Sequence, residues 1–564
     1  MTVDDLGFGD IGYHGIEPDV RTPHLDKMAK EGVILRNMFV PPMCMPSRGS
    51  FLTGRYPWSF GMTRAKDNRP LPKDIPTIAE YFYEQGYTTS MIGKWHVSSK
   101  NLRSKVSNTF FGFNHSYYFE YGTHINNPMF SNKKRAGAAT EFLDPHLRKT
   151  ATQFIRDLKE SNPLFMWLSL KSPHVPYYVT SKHAERMNHV LEPKKKMYLA
   201  MMASVDDEVA MLSNVLEEIG RIKNTLIVFF SDNGGLHIPS SNNGRYRSGK
   251  MTSYDGGVRV AGFMYWPNRL PAGLFLPSVT LPDLYYTLSS LSGHQSINKA
   301  DYSRNFWHSL YDPKNYYPVE EKGISSMQPI GEPQVFNESR AIVLDMSSYI
   351  GSIRKGEFKI VVSSQDCHTV PYVTPEEFEK MPFPSFNPWD FSTLYFNRAV
   401  MDSNHTISFY NTVQDPYEKQ NILKNSVLSH YERSSFEELY RLFLEEQQLL
   451  RKFYLRDSEQ LRSQRLENVF CFDHMISENN LTVGPYLGMK HLVVDRVDSS
   501  YCLPKVRSIV LEGPVIYEEF SLSYTAGQEK TKHNKKKKTK SQPGQRRKSS
   551  SWRIYFISIE REPF

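Results

Sequence analysis

Leu226-Ile227-Val228-Phe229-Phe230-Ser231-Asp232-Asn233-Gly234-Gly235 runs five apolar residues directly into a polar turn that ends in two glycines. The apolar run lacks polar alternation, so it predicts a strand buried on both faces, the kind found in sheets covered by helices. A long helix is predicted before it, near residues 195–219. The same succession occurs twice upstream. A helix over 75–85, ended by Gly86, leads to the short strand Thr88-Thr89-Ser90-Met91-Ile92 and then Gly93-Lys94-Trp95-His96. A helix near 147–159 leads to the apolar run 164–170 and then Lys171-Ser172-Pro173-His174-Val175-Pro176. Alternating helix and buried strand imply an α/β fold with a large, mainly parallel sheet sandwiched by helices. Ligands of such sheets bind at the carboxyl ends of the strands, so the polar residues after each strand converge on one edge.

Between the N-terminus and the first of these units lies Cys44-Met45-Pro46-Ser47-Arg48-Gly49-Ser50-Phe51-Leu52-Thr53-Gly54-Arg55. Pro46 suits the first turn of a helix and Gly54 the left-handed residue that ends one. A short helix is expected here, with Cys44 exposed at its N-terminus, where free amides and Arg48 favour an anion. Such a thiol is either a low-pKa nucleophile or an ordinary buried cysteine.

Other periodic stretches complete the outline. Residues 23–33 place Leu25, Met28, Ala29 and Val33 at helical spacing, and 281–291 reads as a helix closing a first domain over 1–322. Beyond about Gly323, strand-like runs at 341–344, 349–354, 358–363, 393–396 and 406–410 predict a smaller antiparallel subdomain over 323–470, with a Leu- and Glu-rich helix near 436–465. Residues 471–564 form a poorly defined extension whose segment 527–551, polar and basic, is expected to be disordered.

The 564 residues carry 69 Lys or Arg against 60 Asp or Glu, a net charge of +9. Residues 530–548 hold ten of the basic residues and no acidic one, so 59 basic residues face 60 acidic ones elsewhere. The near-neutral remainder does not point to nucleic acid, and no nucleic-acid partner is expected. No apolar run is long enough for a transmembrane helix. Four cysteines, Cys44, Cys367, Cys471 and Cys502, are too few for a disulfide scaffold. Sequons at Asn114, Asn337, Asn404 and Asn480 fit a secreted glycoprotein but are about as frequent as chance allows.

Cys44-x-Pro46-Ser47-Arg48, closed by Leu52-Thr53-Gly54-Arg55, resembles the activation motif of the type I sulfatases, nearest to their arylsulfatase B-like branch. Asp4-Asp5-Leu6-Gly7, Gly93-Lys94-Trp95-His96, the loop around Lys250 and Asp415-Pro416-Tyr417-Glu418-Lys419-Gln420-Asn421 resemble further motifs of that family. The likeness covers roughly residues 1–425. It implies an alkaline-phosphatase-like fold and conversion of Cys44 to Cα-formylglycine by the formylglycine-generating enzyme of the endoplasmic reticulum. A hydrated aldehyde keeps a second hydroxyl that expels sulfate, whereas a serine would be left as a stable ester. The resemblance further implies one Ca2+ (Mg2+ is the alternative) held by Asp4, Asp5, Asp232 and Asn233 beside Cys44. An all-oxygen protein set favours such a hard cation, and a cation offsets carboxylates facing an anionic substrate. Taken alone, Asp232-Asn233-Gly234-Gly235 reads as a turn and Asp4-Asp5 as a solvated loop.

By the same resemblance Arg48 and Lys94 hold oxygens of the nucleophile and substrate, and His96 orients the nucleophile. Lys250 and His174 lie by the leaving oxygen, with His174 as general acid. The implied substrates are aryl sulfates and sulfated glycans such as the 4-sulfated N-acetylgalactosamine of chondroitin or dermatan sulfate. Specificity is expected in residues 101–138 and 235–246. The expected location is lysosomal or secreted, and a signal peptide and a longer first strand are expected ahead of Met1. Two rivals are weighed. One is a phosphoesterase of the same superfamily, which would carry Ser or Thr at position 44 and His-rich zinc sites. The other is a non-catalytic sulfated-glycan binder that uses the basic tail.

Overall fold

Alternate side chains of the strand Leu164–Pro173 enter two different cores: Phe165 and Trp167 one, Met166, Leu168 and Leu170 the other. Both faces of the sheet are therefore buried, as a nearly continuous apolar run requires. The computed structural model describes residues 1–63, 71–72, 74–97, 109–120, 122–159, 161–294, 303–317, 340–346, 351–364, 405–424, 428–463, 492–494, 516–522 and 552–558. It divides into two bodies, Met1–Tyr454 and Leu455–Phe564.

The first body is built on a twelve-stranded sheet. In chain order its strands are β1 (Thr2–Asp4), β2 (Val33–Phe39), β3 (Thr88–Lys94), β4 (His115–Phe119), β5 (Asn127–Ser131) and β6 (Lys134–Ala139). They continue with β7 (Leu164–Pro173), β8 (Ile227–Ser231), β9 (Arg259–Val260), β10 (Gly262–Tyr265), β11 (Gly273–Thr280) and β12 (Tyr316–Tyr317). The spatial order is β12-β11-β2-β10-β8-β1-β7-β3-β4-β5-β6, with β9 beside β2. The central run β8-β1-β7-β3-β4 is parallel throughout, and β2 pairs parallel with β11. β10 is antiparallel to both β8 and β2, so all these parallel strands point the same way.

The helices are α1 (Pro23–Lys30), α2 (Cys44–Thr53), α3 (Ile78–Glu84), α4 (Leu143–Asp157), α5 (Ser181–Arg186), α6 (Pro193–Glu218), α7 (Asp255–Val258) and α8 (Leu281–Leu291). Side chains of α2, α3 and α8 share one core with the sheet, and those of α1, α4 and α6 share the other. The expected sandwich is what forms. Several boundaries differ from the sequence reading. α3 starts at Ile78 because Thr77 and Glu80 form a reciprocal capping box. α1 stops at Lys30, and Val33, expected at its end, instead opens β2. β7 runs on to Pro173, beyond the predicted Leu170, because its pairing with β1 continues until Pro173 lies opposite Asp4, and Asp144 accepts the amides of Lys171 and Ser172.

Next along the chain is a four-stranded antiparallel sheet, in the order β13 (Ala341–Met346), β14 (Gly351–Lys355), β15 (Phe358–Ser364) and β16 (His405–Asn411). It shares a core with Tyr56, Trp58 and the helix α9 (His430–Ser463). The second body contains three antiparallel strands, β17 (Leu492–Val494), β18 (Ile516–Leu522) and β19 (Trp552–Ser558), with β19 in the middle. The expected strand at 393–396, the basic segment 527–551, Cys367, Cys471, Cys502, Asn337, Asn404 and Asn480 lie outside the described residues. Among the described residues no helix is long and apolar enough to cross a membrane.

Candidate active site

The carboxyl ends of β1, β3, β7 and β8 deliver Asp4-Asp5, Lys94-His96, His174 and Asp232-Asn233 to one edge, and the loop after β2 brings in α2 with Cys44 and Arg48. Helix α2 ends at Gly54, whose φ of 65° is the left-handed conformation expected of that glycine. Its other end differs from expectation. Cys44 is buried, with 1% of its surface accessible, and its thiol lies against Asp4 and Asp5 at the end of β1. Burial, then the charges of Asp232 and Asp4, push its thiol well above the ordinary range, so it is not the low-pKa nucleophile the helix N-terminus suggested.

Every sequence-predicted site residue lies in this cluster. The Cys44 thiol donates to Asp4 Oδ1 at 3.2 Å and approaches Asp5 Oδ1 at 3.8 Å. Lys94 Nζ donates to Asp4 Oδ2 at 2.5 Å, and Lys250 Nζ donates to Asp5 Oδ1 at 2.6 Å. Arg48 donates from Nε and Nη2 to Asp232 Oδ2, and from Nη1 to the carbonyl of Lys94. Asn233 Nδ2 donates to Asp5 Oδ1 at 2.8 Å. His174 Nε2 stands 3.6 Å from Asp5 Oδ2. His96 is buried at a φ of 49°, and its Nδ1 has no partner among the described residues. A non-glycine residue held in that conformation is a feature of functional sites.

The electrostatics follow from crowding. Burial opposes ionisation of Asp4, but the charges of Lys94, then Arg48 and Lys250, hold its carboxyl well below the usual range. Burial and the neighbouring Asp4 push Asp232 up to about 7. Burial, then Lys171, keeps the His174 imidazole well below its ordinary value and so neutral near pH 7. Burial opposes the charge on Lys250, but Asp5 holds its pKa above the ordinary value.

Two oxygens of the expected metal set, Asp5 Oδ2 and Asn233 Oδ1, are buried without a hydrogen-bond donor among the described residues. Buried acceptors left in this state are costly, and a cation satisfies both. Ligand atoms of Asp4, Asp5, Cys44 and His174 also lie within 4.8 Å of one another. The residues present therefore fit a hard divalent cation. Asp232, expected as a ligand, is placed beside this set with Oδ2 turned to Arg48.

Sequence reasoning missed two members. Ser169, on β7, accepts from Arg48 Nη1 at 2.5 Å and donates to the Lys94 carbonyl at 2.9 Å. Lys171 is buried, with Nζ 3.5 Å from His174 Nδ1. Burial, then the charge of Lys94, lowers its pKa to about 8. A charged residue abutting the end of an apolar strand run was the available signal.

A family model described as Sulfatase matches residues 1–294. Mouse arylsulfatase J is 26% identical over 449 residues, 74% of this chain and 71% of that protein. Dog N-acetylgalactosamine-6-sulfatase is 28% identical over 327 residues, 52% of this chain and 61% of that protein, so the match spans about three fifths of its length. The crystal structure of Ps i-CgsB in complex with k-i-k-neocarrahexaose shares the fold with a TM-score of 0.62 at 22% identity, covering 83% of this chain and 97% of that one.

Proposed function

This chain belongs to the sulfatase family, and from that premise we propose that it hydrolyses sulfate esters at the Cys44 site. In this reading Cys44 is converted to Cα-formylglycine and Asp4, Asp5, Asp232 and Asn233 hold a divalent cation, Ca2+ before Mg2+. The observation that carries it is the pair of unsatisfied buried acceptors, Asp5 Oδ2 and Asn233 Oδ1, beside Cys44 and a ring of cations. A generic anion-binding fold would not need to leave those oxygens without donors.

When present, the modified residue supplies a nucleophilic hydroxyl with a second hydroxyl for releasing sulfate, and the cation lowers the pKa of the first and neutralises the carboxylates. The chain's own residues do the rest. Arg48, fixed by Asp232, Ser169 and the Lys94 carbonyl, and Lys94, fixed by Asp4, present positive charge to the sulfuryl oxygens. His96 holds the proton position beside the nucleophile. The leaving oxygen gains negative charge as its bond to sulfur breaks, and Lys250 stabilises that charge while His174 donates a proton from Nε2. Nδ1 lies against the Val175 carbonyl, which can only accept, so Nδ1 keeps its hydrogen and the proton given up from Nε2 is the one His174 carries as an imidazolium. Fixed donors of this type each contribute about 10²–10³ in kcat.

The substrate we propose is a sulfated N-acetylgalactosamine of a glycosaminoglycan, with aryl sulfates as surrogates and a lysosomal or secretory compartment as the setting. Support comes from the match to an N-acetylgalactosamine-6-sulfatase, and paired assays on 4-sulfated and 6-sulfated sugars separate the two ring positions. The deciding test is mass spectrometry of the tryptic peptide 37–48 from protein made in eukaryotic cells with a signal peptide supplied. Replacement of the Cys44 sulfur by an aldehyde oxygen, together with aryl sulfate turnover, is the expected result. An intact thiol with the modifying enzyme present would overturn the reading.

A further inference from the structure

The Asp415–Asn421 motif takes no part in the proposed chemistry, yet its Glu418 is fully buried at a φ of 52°. Holding a non-glycine residue in the left-handed region is unfavourable, so something in its surroundings imposes it. Those surroundings lead step by step to the active site. Glu418 Oε2 accepts the amide of Asp255, the first residue of α7, at 2.8 Å. Lys359, fully buried on β15, bridges Glu418 Oε1 at 2.7 Å and Asp255 Oδ1 at 2.6 Å. Arg354 and Arg259 complete the cage around Asp255 at 3.4 and 3.6 Å. The Glu418 carbonyl accepts from Arg247 Nη1 at 2.7 Å, and Tyr410 Oη is 3.1 Å from the same nitrogen.

The clamped segment carries the site. Gly257, in α7, accepts the amide of Gly234 at 3.0 Å, so α7 is the support of the Asp232-Asn233 turn. The approach leaves no room for a side chain, since a Cβ on Gly234 would stand 1.9 Å from the Gly256 carbonyl oxygen. Gly256 donates to the carbonyl of Arg247 at 2.9 Å, and Lys250 donates its amide to Gly235 at 2.9 Å.

We propose that Glu418 and Lys359 are positioning residues: by clamping Asp255 and Arg247 they fix α7, the Asp232–Gly235 turn and the Lys250 loop, and so set the site's affinity for its cation. The last clause rests on the metal reading above; the positioning itself does not. A buried ion pair that served stability alone would lower the melting temperature without acting on that turn selectively.

The test compares full-length wild type with Glu418→Gln and with Arg247→Met, the latter a half-buried side chain whose loss leaves the buried ion cluster intact. Amide hydrogen exchange in metal-free protein is expected to quicken about tenfold or more across residues 232–257, with β7 and α6 unchanged. Calcium titrations read by melting temperature should show half-saturation raised about 10–100-fold, the usual cost of losing an outer support of a metal site. Lys359→Arg, which keeps the bridge, should stay near wild type in both. Unchanged exchange over 232–257, with quickening confined to 405–424, would overturn the proposal, and so would an unchanged calcium half-saturation in a calcium-responsive protein. A wild type whose melting ignores calcium would count against the metal reading, and the exchange result would still decide the positioning.

Discussion

Arg48 meets Asp232 with two nitrogens, Nε at 3.0 Å and Nη2 at 2.7 Å, on the single oxygen Oδ2, while its Nη1 serves the Lys94 carbonyl at 2.7 Å. One guanidinium thus ties α2 to the ends of β8 and β3, and both partners are about 1% exposed. A lysine keeps the charge but offers no planar fork. In Arg48→Lys a single amine cannot serve Asp232 Oδ2, Ser169 Oγ and the Lys94 carbonyl as the fork does, so at least one of these buried contacts is lost, a cost of about 1–3 kcal/mol for a buried polar group. Urea unfolding should show that loss at an unchanged m-value. Turnover of an aryl sulfate should fall by about 10²–10³, since the charge no longer sits where the reaction needs it. A variant within twofold of wild type would show that Arg48 is not fixed for catalysis.

Asp10 gives a pH dependence of stability. It is buried, its Oδ2 accepts the amide of Asn242 at 2.6 Å, and burial pushes its carboxyl up to about 8 from an ordinary 3.8. The folded state therefore holds a proton that the unfolded chain releases near pH 4. The associated stability is fully present below the unfolded pKa and is lost as pH rises through the folded one. Between about pH 4 and pH 8 this group should lower stability by up to about 1.4 kcal/mol per pH unit. Asp10→Asn keeps an acceptor for Asn242 and removes the proton, so its stability curve over that window should be flatter. Denaturant midpoints at intervals across the window check this, and parallel curves for the two proteins would refute it.

Cys44→Ser tests the chemistry of the nucleophile. A serine hydroxyl fits the buried position but has no second hydroxyl with which to release sulfate. The variant should show no sustained turnover of an aryl sulfate, while its melting temperature stays near that of wild type because the packing barely changes. Steady multiple turnover by the serine protein would remove the need for formylglycine.

How much of this was legible in the sequence depends on whether a residue's role is local. The runs 164–170 and 226–230 are mostly or wholly apolar, and 88–92 is rich in β-branched residues, so these strands and the convergence of the polar residues at their carboxyl ends could be read directly. β2 was not seen, because Arg36 and Asn37 interrupt its apolar pattern and Val33 continues the spacing of α1. The burial of Cys44 was equally out of reach, since the carboxylates against its thiol come from the end of a distant strand. The pairing of Lys359 with Glu418 was out of reach for the same reason: each is neutralised by a partner more than fifty positions away. Local propensity says nothing about such pairs, and the motif around Glu418 gave its position without its purpose.

Lys171 offers a pH test on catalysis. Its Nζ lies 3.5 Å from His174 Nδ1, and its charge ranks after burial among the causes that keep that imidazole below its ordinary pKa. Lys171→Met preserves the buried stem and removes the charge. The His174 pKa should therefore rise, and the alkaline limb of the kcat/KM profile, where the general acid loses its proton, should move to higher pH. The wild type should also show an inflection near the Lys171 pKa of about 8, which the variant loses. KM should change less than kcat, because Lys171 acts through His174, on the leaving-oxygen side of the proposed site. A rate profile that keeps both limbs in place after Lys171→Met would mean that His174 titrates independently of its neighbour.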